Sequence, residues 1–178
     1  GALNLNGTKV ITGRKFNDKE SYEFTISAAD GTPMPTGSVE DETTGMLEKI
    51  VTSKPTKDVQ SHTFAFDTIS YSLSDLGGES EKDFTYTIKE KAPADAATVG
   101  NKAVKAGVTY DDTVYTVKVK VQDNGTGTLI VTPYLVGEGE NRTQITGSDQ
   151  LTFRNTYAAS GTVSFPVKKI LSVPAGLS

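Results

Sequence analysis

The 178-residue sequence contains no cysteine and only one histidine, His62. The absence of cysteine excludes disulfide bonds, thiolate metal sites and cysteine nucleophiles. A single histidine leaves little material for a Ser-His-Asp triad or for a histidine metal site. We therefore predict neither a metal nor a cofactor. If a covalent bond stabilises this fold, other side chains must form it.

Long apolar runs and an excess of positive charge are also missing. No segment approaches the length of a transmembrane span, so we predict no membrane insertion. The formal net charge of −4 argues against a nucleic-acid partner, because phosphate binding needs a basic surface. Hydrophobic residues make up 35% of the chain, and they are concentrated in short runs. This distribution favours a folded domain over a disordered one.

Most of these runs alternate apolar and polar residues with a period of two, which indicates β-strands. The clearest example is a hairpin over residues 114–136, in which Asn124-Gly125 suits a tight turn. No amphipathic helix is apparent. The spacing of the strands predicts an all-β fold, an antiparallel β-sandwich. Residues 28–45 and 72–83 are predicted to be long loop insertions.

The alanine-rich segment 91–107 reads as a further long loop. A helical turn is expected within it, after Pro93, because proline suits the first turn of a helix. No strand is predicted in this segment.

Three polar residues occupy positions where alternation places core side chains, namely Lys9, Glu90 and Asn155. Each shares the parity of the apolar residues on its own predicted strand, so each is aimed inward. An amine, a carboxyl and a carboxamide brought together in a dry core are the ingredients of an internal Lys–Asn amide, an isopeptide bond.

Burial makes that reaction possible because it lowers the pKa of a lysine and raises the pKa of a carboxyl group. We predict that Glu90 donates a hydrogen bond to the carboxamide oxygen of Asn155, that the Lys9 amine attacks, and that ammonia leaves. The reaction turns over once, so the protein is not predicted to be an enzyme.

Simpler interpretations of the same residues exist. Lys9 could reach solvent from a strand end, or form a buried ion pair with Glu90, and Asn155 could cap a bulge.

Lys9, Glu90 and Asn155 belong to a longer ordered set of motifs. The other members are Ile11-Thr12-Gly13-Arg14, Tyr22-x-Phe24-x-Ile26, Tyr86-x-Ile88, Tyr110-Asp111, the hairpin strand that begins at Val114, and Phe153 with Tyr157. With this set, residues 3–157 resemble the streptococcal-type pilin isopeptide linkage domain, an FctA-like relative of CnaB domains. The resemblance implies an Ig-like (CnaB-type) sandwich, a bond between Lys9 and Asn155, and catalysis by Glu90. It also implies an extracellular location on the wall of a Gram-positive bacterium.

The end of the chain partly repeats its beginning. Residues 165–171 echo residues 5–11, with Lys169 in the position of Lys9. We therefore predict a domain over residues 1–158, followed by a linker and a truncated first strand of a following repeat over residues 159–178. Lys169 would supply the bond of that repeat, and neighbouring repeats would be the partners. The alternative is an ordinary apolar tail.

The resemblance implies a structural module of a wall-anchored pilus or surface stalk. Residues 121–167 lack the lysine that sortase would use in a polymerised pilin of this kind, which favours a stalk, although Lys168 remains a candidate. The alternative is a ligand-binding adhesin module, whose long loops recognise a host protein or glycan.

Overall fold

A computed structural model describes residues 1–159 of the protein, so Lys169 and nearly all of the predicted segment 159–178 lie outside the described residues. Within them the chain forms fifteen strands and three short 3₁₀ helices. The helices are Leu73–Leu76, Glu138–Glu140 and Ser148–Leu151. The strands are β1 (Ala2–Leu3), β2 (Asn6–Thr12), β3 (Tyr22–Ala28), β4 (Val39–Glu40), β5 (Leu47–Ser53), β6 (Ser61–Ala65), β7 (Ile69–Ser70), β8 (Glu81–Lys91), β9 (Ala97–Val99), β10 (Lys102–Lys105), β11 (Val108–Thr109), β12 (Val114–Asp123), β13 (Leu129–Val136), β14 (Arg142–Gln144) and β15 (Thr152–Tyr157).

The strands form two large sheets that pack face to face. The six-stranded sheet has the order β6-β2-β15-β11-β10-β9, and the seven-stranded sheet has the order β14-β13-β12-β8-β3-β5-β4. A small additional sheet pairs β1 with β7. The predicted all-β sandwich with loop insertions is confirmed. None of the helices in residues 1–159 is long and apolar enough to cross a membrane.

Alternating side chains from both sheets build the core. Phe24 of β3 stacks on Phe64 of β6 with a centroid distance of 3.9 Å, and its ring centroid lies 5.0 Å from that of Phe153 on β15. The inward residues of the predicted hairpin, Val117 and Val119, are fully buried. Period-two patterning therefore placed these side chains on the correct face of their strands.

One strand pair departs from the predicted antiparallel arrangement. β2 and β15 run parallel, with Lys9 opposite Phe153 and Ile11 opposite Asn155, whereas the other pairs among the described strands are antiparallel. A parallel pair needs a crossover connection, and here almost the whole domain lies between the two strands. The pair that joins the first and last long strands is therefore an exception to the antiparallel pairing predicted for the sandwich.

The segment 91–107 also differs from its prediction. It contains the antiparallel hairpin of β9 and β10 instead of a loop with a helical turn. Gly100 and Asn101 connect these strands with positive φ values of 57° and 68°, the conformation that a two-residue hairpin turn requires. The Gly-Asn pair was the available signal, and the alanine-rich composition around it concealed the strands.

The long insertion that begins after β3 is fixed to the core by a buried hydrogen-bond chain. The hydroxyl of Tyr86 donates to the carbonyl oxygen of Pro33 at 2.7 Å, and the hydroxyl of Tyr71 lies 2.8 Å from that of Tyr86. Because Tyr86 gives its proton to Pro33, Tyr71 is the donor in the second bond. The same insertion also contributes β4 to the edge of the seven-stranded sheet.

Candidate functional site

Lys9, Glu90 and Asn155 meet inside the sandwich. The Lys9 Nζ atom lies 2.9 Å from Glu90 Oε2, and both side chains are completely inaccessible to solvent. Asn155 is also fully buried, and its Nδ2 atom donates to the same Glu90 Oε2 at 3.1 Å. One carboxylate oxygen therefore contacts the amine and the carboxamide nitrogen together.

The strands explain this convergence. Lys9 and Asn155 lie on the adjacent strands β2 and β15, two positions apart in register, so they are diagonal neighbours on one face. Glu90 lies on β8, in the other large sheet. It pairs in register with the buried Phe24 of the neighbouring strand β3, and its side chain faces the same core. Both sheets are thus needed to assemble the site.

Burial favours the uncharged forms of both ionisable groups. It lowers the pKa of the Lys9 amine, and the neighbouring Glu90 carboxylate opposes that shift only in part. Burial likewise raises the pKa of Glu90, although contacts with Lys9 and Asn155 act in the other direction. A neutral amine beside a neutral carboxylic acid is the state in which lysine is nucleophilic.

The hydrogen bonding of the site is incomplete. Among residues 1–159, only four buried side-chain nitrogen or oxygen atoms lack a hydrogen-bond partner, and two of them are Lys9 Nζ and Glu90 Oε1. Lys9 Nζ nevertheless lies within ion-pair distance of Glu90 Oε2, at 2.9 Å. Unpaired buried polar atoms are costly, so two of them at one place mark this part of the core as unusual.

The carboxamide of Asn155 is oriented by the loop before β12. The backbone N–H of Asp111 donates to Asn155 Oδ1 at 2.9 Å. Because a backbone N–H can only donate, the carboxamide oxygen must face Asp111 and the nitrogen must face Glu90. The predicted hydrogen bond from Glu90 to the carboxamide oxygen is therefore wrong, since Glu90 contacts the nitrogen.

Tyr22 covers the Lys9 amine and was not predicted as part of the site. Lys9 Nζ lies 4.7 Å from the centroid of the Tyr22 ring. The Tyr22 hydroxyl donates to Glu20 at 2.7 Å, and Arg14 contacts both oxygens of Glu20 at 2.9 and 3.0 Å. This chain of contacts fixes the ring over the amine. The inward parity of Tyr22 on a strand was the only signal in the sequence.

The Lys9–Glu90–Asn155 site contains one amine, one carboxyl group and one carboxamide. In the part of the chain that the structure describes, no group of three or more histidine or acidic side chains is arranged to hold a metal ion. The chemistry open to Lys9, Glu90 and Asn155 is proton transfer and amide exchange.

Comparison with known proteins identifies the domain. The model of the FctA family, described as a Spy0128-like isopeptide containing domain, matches residues 5–158. The chain belongs to this family. No curated protein sequence matches this FctA domain.

Among solved structures, the FctA domain is similar to the major pilin protein (T3.2) from Streptococcus pyogenes serotype GAS13637, with 18% identity and a TM-score of 0.44. The match covers 89% of this chain and 54% of that pilin, so the chain spans about half of the pilin's length.

Family membership supports a structural module of a pilin-type surface protein. The FctA match extends over the described sandwich and includes all three converging residues, Lys9, Glu90 and Asn155. Membership of this family indicates an extracellular surface protein.

Proposed function

We propose that this domain is a load-bearing module of a Gram-positive pilus or surface stalk, made inextensible by an autocatalytic isopeptide bond between Lys9 and Asn155. The observation that carries the proposal is the contact of both reactants with one buried carboxylate oxygen, Glu90 Oε2. Membership of the isopeptide domain family supports the same reading.

The reaction follows from the positions of the atoms. The neutral Lys9 amine attacks the carboxamide carbon of Asn155, and Glu90 Oε2 lies where it can accept a proton from the attacking nitrogen. The same oxygen contacts Nδ2, so it can deliver a proton to the nitrogen that leaves. The products are a secondary amide and one ammonia, and Glu90 returns to its starting state. This is a single turnover within one chain.

The position of the bond suits a mechanical role. β2 and β15 are parallel neighbours, so tension that pulls β2 by its beginning and β15 by its end loads the pair in shear. A covalent link between Lys9 and Asn155 would carry this tension directly from one strand to the other. Residues 10–154 would then be bypassed by the force and would remain folded.

The wider setting of the module is part of the same proposal. Wall anchoring and a tandem array in which Lys169 supplies the next bond remain predictions, and Lys169 lies outside the described residues. A stalk of such modules would need no metal or cofactor, because each bond would form from the protein's own side chains.

Replacement of Glu90 by glutamine tests the catalytic assignment. Glu90→Gln keeps the size of the side chain but removes the acid, so we expect the variant to keep its full sequence mass while the wild type is lighter by about 17 Da, one ammonia. Intact-mass spectrometry after denaturation measures this difference.

The matched control is Glu81→Gln, which makes the same change at an exposed position of the same strand, β8. This variant should show the wild-type mass. A folded Glu90→Gln protein that still loses ammonia completely would contradict the role of Glu90, and circular dichroism establishes that the variant is folded.

A further inference from the structure

Asp111 makes three hydrogen bonds that together fix the loop before β12 against β15. Its backbone N–H donates to Asn155 Oδ1 at 2.9 Å. Its carboxylate accepts from the backbone N–H of Thr113 at 2.8 Å and from that of Arg154 at 2.6 Å. The side chain therefore connects its own loop to the residue that immediately precedes Asn155.

We propose that the Asp111 backbone N–H is the oxyanion donor of the amide exchange, and that the Asp111 carboxylate is the positioning group that holds it in place. This inference rests on the proposed isopeptide function. It adds a main-chain N–H group to the three side chains of Lys9, Glu90 and Asn155 that take part in the reaction.

The bonds and electrons of the amide exchange balance as follows. As the Lys9 nitrogen bonds to the carboxamide carbon of Asn155, the π electrons of the C=O bond move to Oδ1, which becomes negatively charged. When the bond from carbon to Nδ2 breaks, these electrons return to form the new amide carbonyl, and Nδ2 leaves as ammonia with a proton from Glu90. The negative charge on Oδ1 exists only between these two events, and the Asp111 N–H points at the atom that carries it.

The distance and the surroundings suit that task. Donors at 2.7–3.1 Å from the developing oxyanion stabilise it most when they are fixed beforehand in a site from which water is excluded. Asn155 is fully buried, and the Asp111 donor is attached through Arg154 to the strand that carries the acceptor. Burial alone would raise the pKa of Asp111, but the hydrogen bonds from Thr113 and Arg154 lower it below its usual value, so the carboxylate stays charged.

The test compares Asp111→Asn with Asp112→Asn. Asparagine at 111 can still accept from the N–H of Thr113, but its second terminal atom becomes an NH₂ group that cannot accept from Arg154. Asp112 is adjacent and its carboxylate binds Lys102 at 2.7 Å in an exposed pair, so its replacement makes the same charge change away from the site. Each protein is made in a brief cell-free translation pulse, and the fraction that has lost ammonia is followed by intact mass.

We expect Asp111→Asn to form the bond at least about tenfold more slowly than wild type, since loss of one oxyanion donor costs a factor of roughly 10²–10³ and this variant only loosens the donor. Asp112→Asn should react at the wild-type rate. A slow reaction could come from a loosened Asp111 N–H or from a less stable fold. To separate these causes, Asp111→Asn is also combined with Lys9→Met, which cannot form the bond. Thermal unfolding of this double variant should match that of Lys9→Met within a few degrees.

Each outcome is decisive. Wild-type kinetics in Asp111→Asn would overturn the inference while the isopeptide proposal stands, because the wild type would still lose ammonia. A double variant that is strongly destabilised relative to Lys9→Met would also overturn it, since the slow reaction would then reflect a damaged fold. Full mass in the wild type would overturn both proposals together.

Discussion

Replacement of Lys9 by methionine is expected to lower the free energy of unfolding by roughly 5 kcal/mol, the loop-closure value for a cross-link that spans residues 9–155. Methionine keeps an unbranched side chain of similar length in the fully buried position of Lys9 but has no amine, so no bond can form. For a domain of this size, such a loss corresponds to a decrease in Tm of about 10–20 °C. Differential scanning calorimetry measures it directly.

Two further variants separate the cross-link from other effects of the substitution. Lys89→Met removes a lysine from an exposed position next to Glu90 and should leave Tm within a few degrees of the wild type. Glu90→Gln lacks the bond but keeps Lys9, so its Tm should fall together with that of Lys9→Met. A Lys9→Met protein as stable as the wild type would mean that no bond constrains the unfolded chain.

Single-molecule stretching should distinguish the wild type from Lys9→Met by the extension that each shows under force. In the wild type, the bond between Lys9 and Asn155 would hold residues 10–154 out of the path of the force, so stretching should produce no unfolding step from this domain. In Lys9→Met the same residues are free to extend by roughly 50 nm, at about 3.3–3.6 Å per residue. The presence or absence of that step is an all-or-none readout.

The Lys89→Met variant serves as the stretching control and should remain inextensible like the wild type. Because β2 and β15 are loaded in shear, the Lys9→Met domain should still resist before it yields. An unfolding step of about 50 nm in the wild type would show that the force passes through residues 10–154. That result would contradict the proposed load-bearing bond between Lys9 and Asn155.

Most of what the sequence reveals about the site comes from the alternation of inward and outward side chains along each strand. The face of each residue on a strand follows from its position in the alternation, so Lys9, Glu90 and Asn155 could be assigned to the core without a structure. Their mutual contact depends on which strands are neighbours, and alternation does not encode that. The resemblance to an isopeptide domain supplied this part.

Other features were beyond sequence reasoning for identifiable reasons. The oxygen of Asn155 faces Asp111 because a loop presents a main-chain N–H there, and main-chain groups have no sequence signature. The parallel pairing of β2 with β15 arises from a crossover of nearly the whole domain. The hairpin at Gly100 and Asn101 was detectable, but the composition of its strands is weak for β structure.

The intact mass of the purified wild-type protein, measured after denaturation, tests the central claim most directly. We expect a mass about 17 Da below that of the sequence, the loss of one ammonia as the Lys9 amine displaces the Asn155 carboxamide nitrogen. Lys9→Met, corrected for its own substitution, should show no deficit. A wild-type mass equal to that of the sequence would contradict the isopeptide bond and the load-bearing role that depends on it.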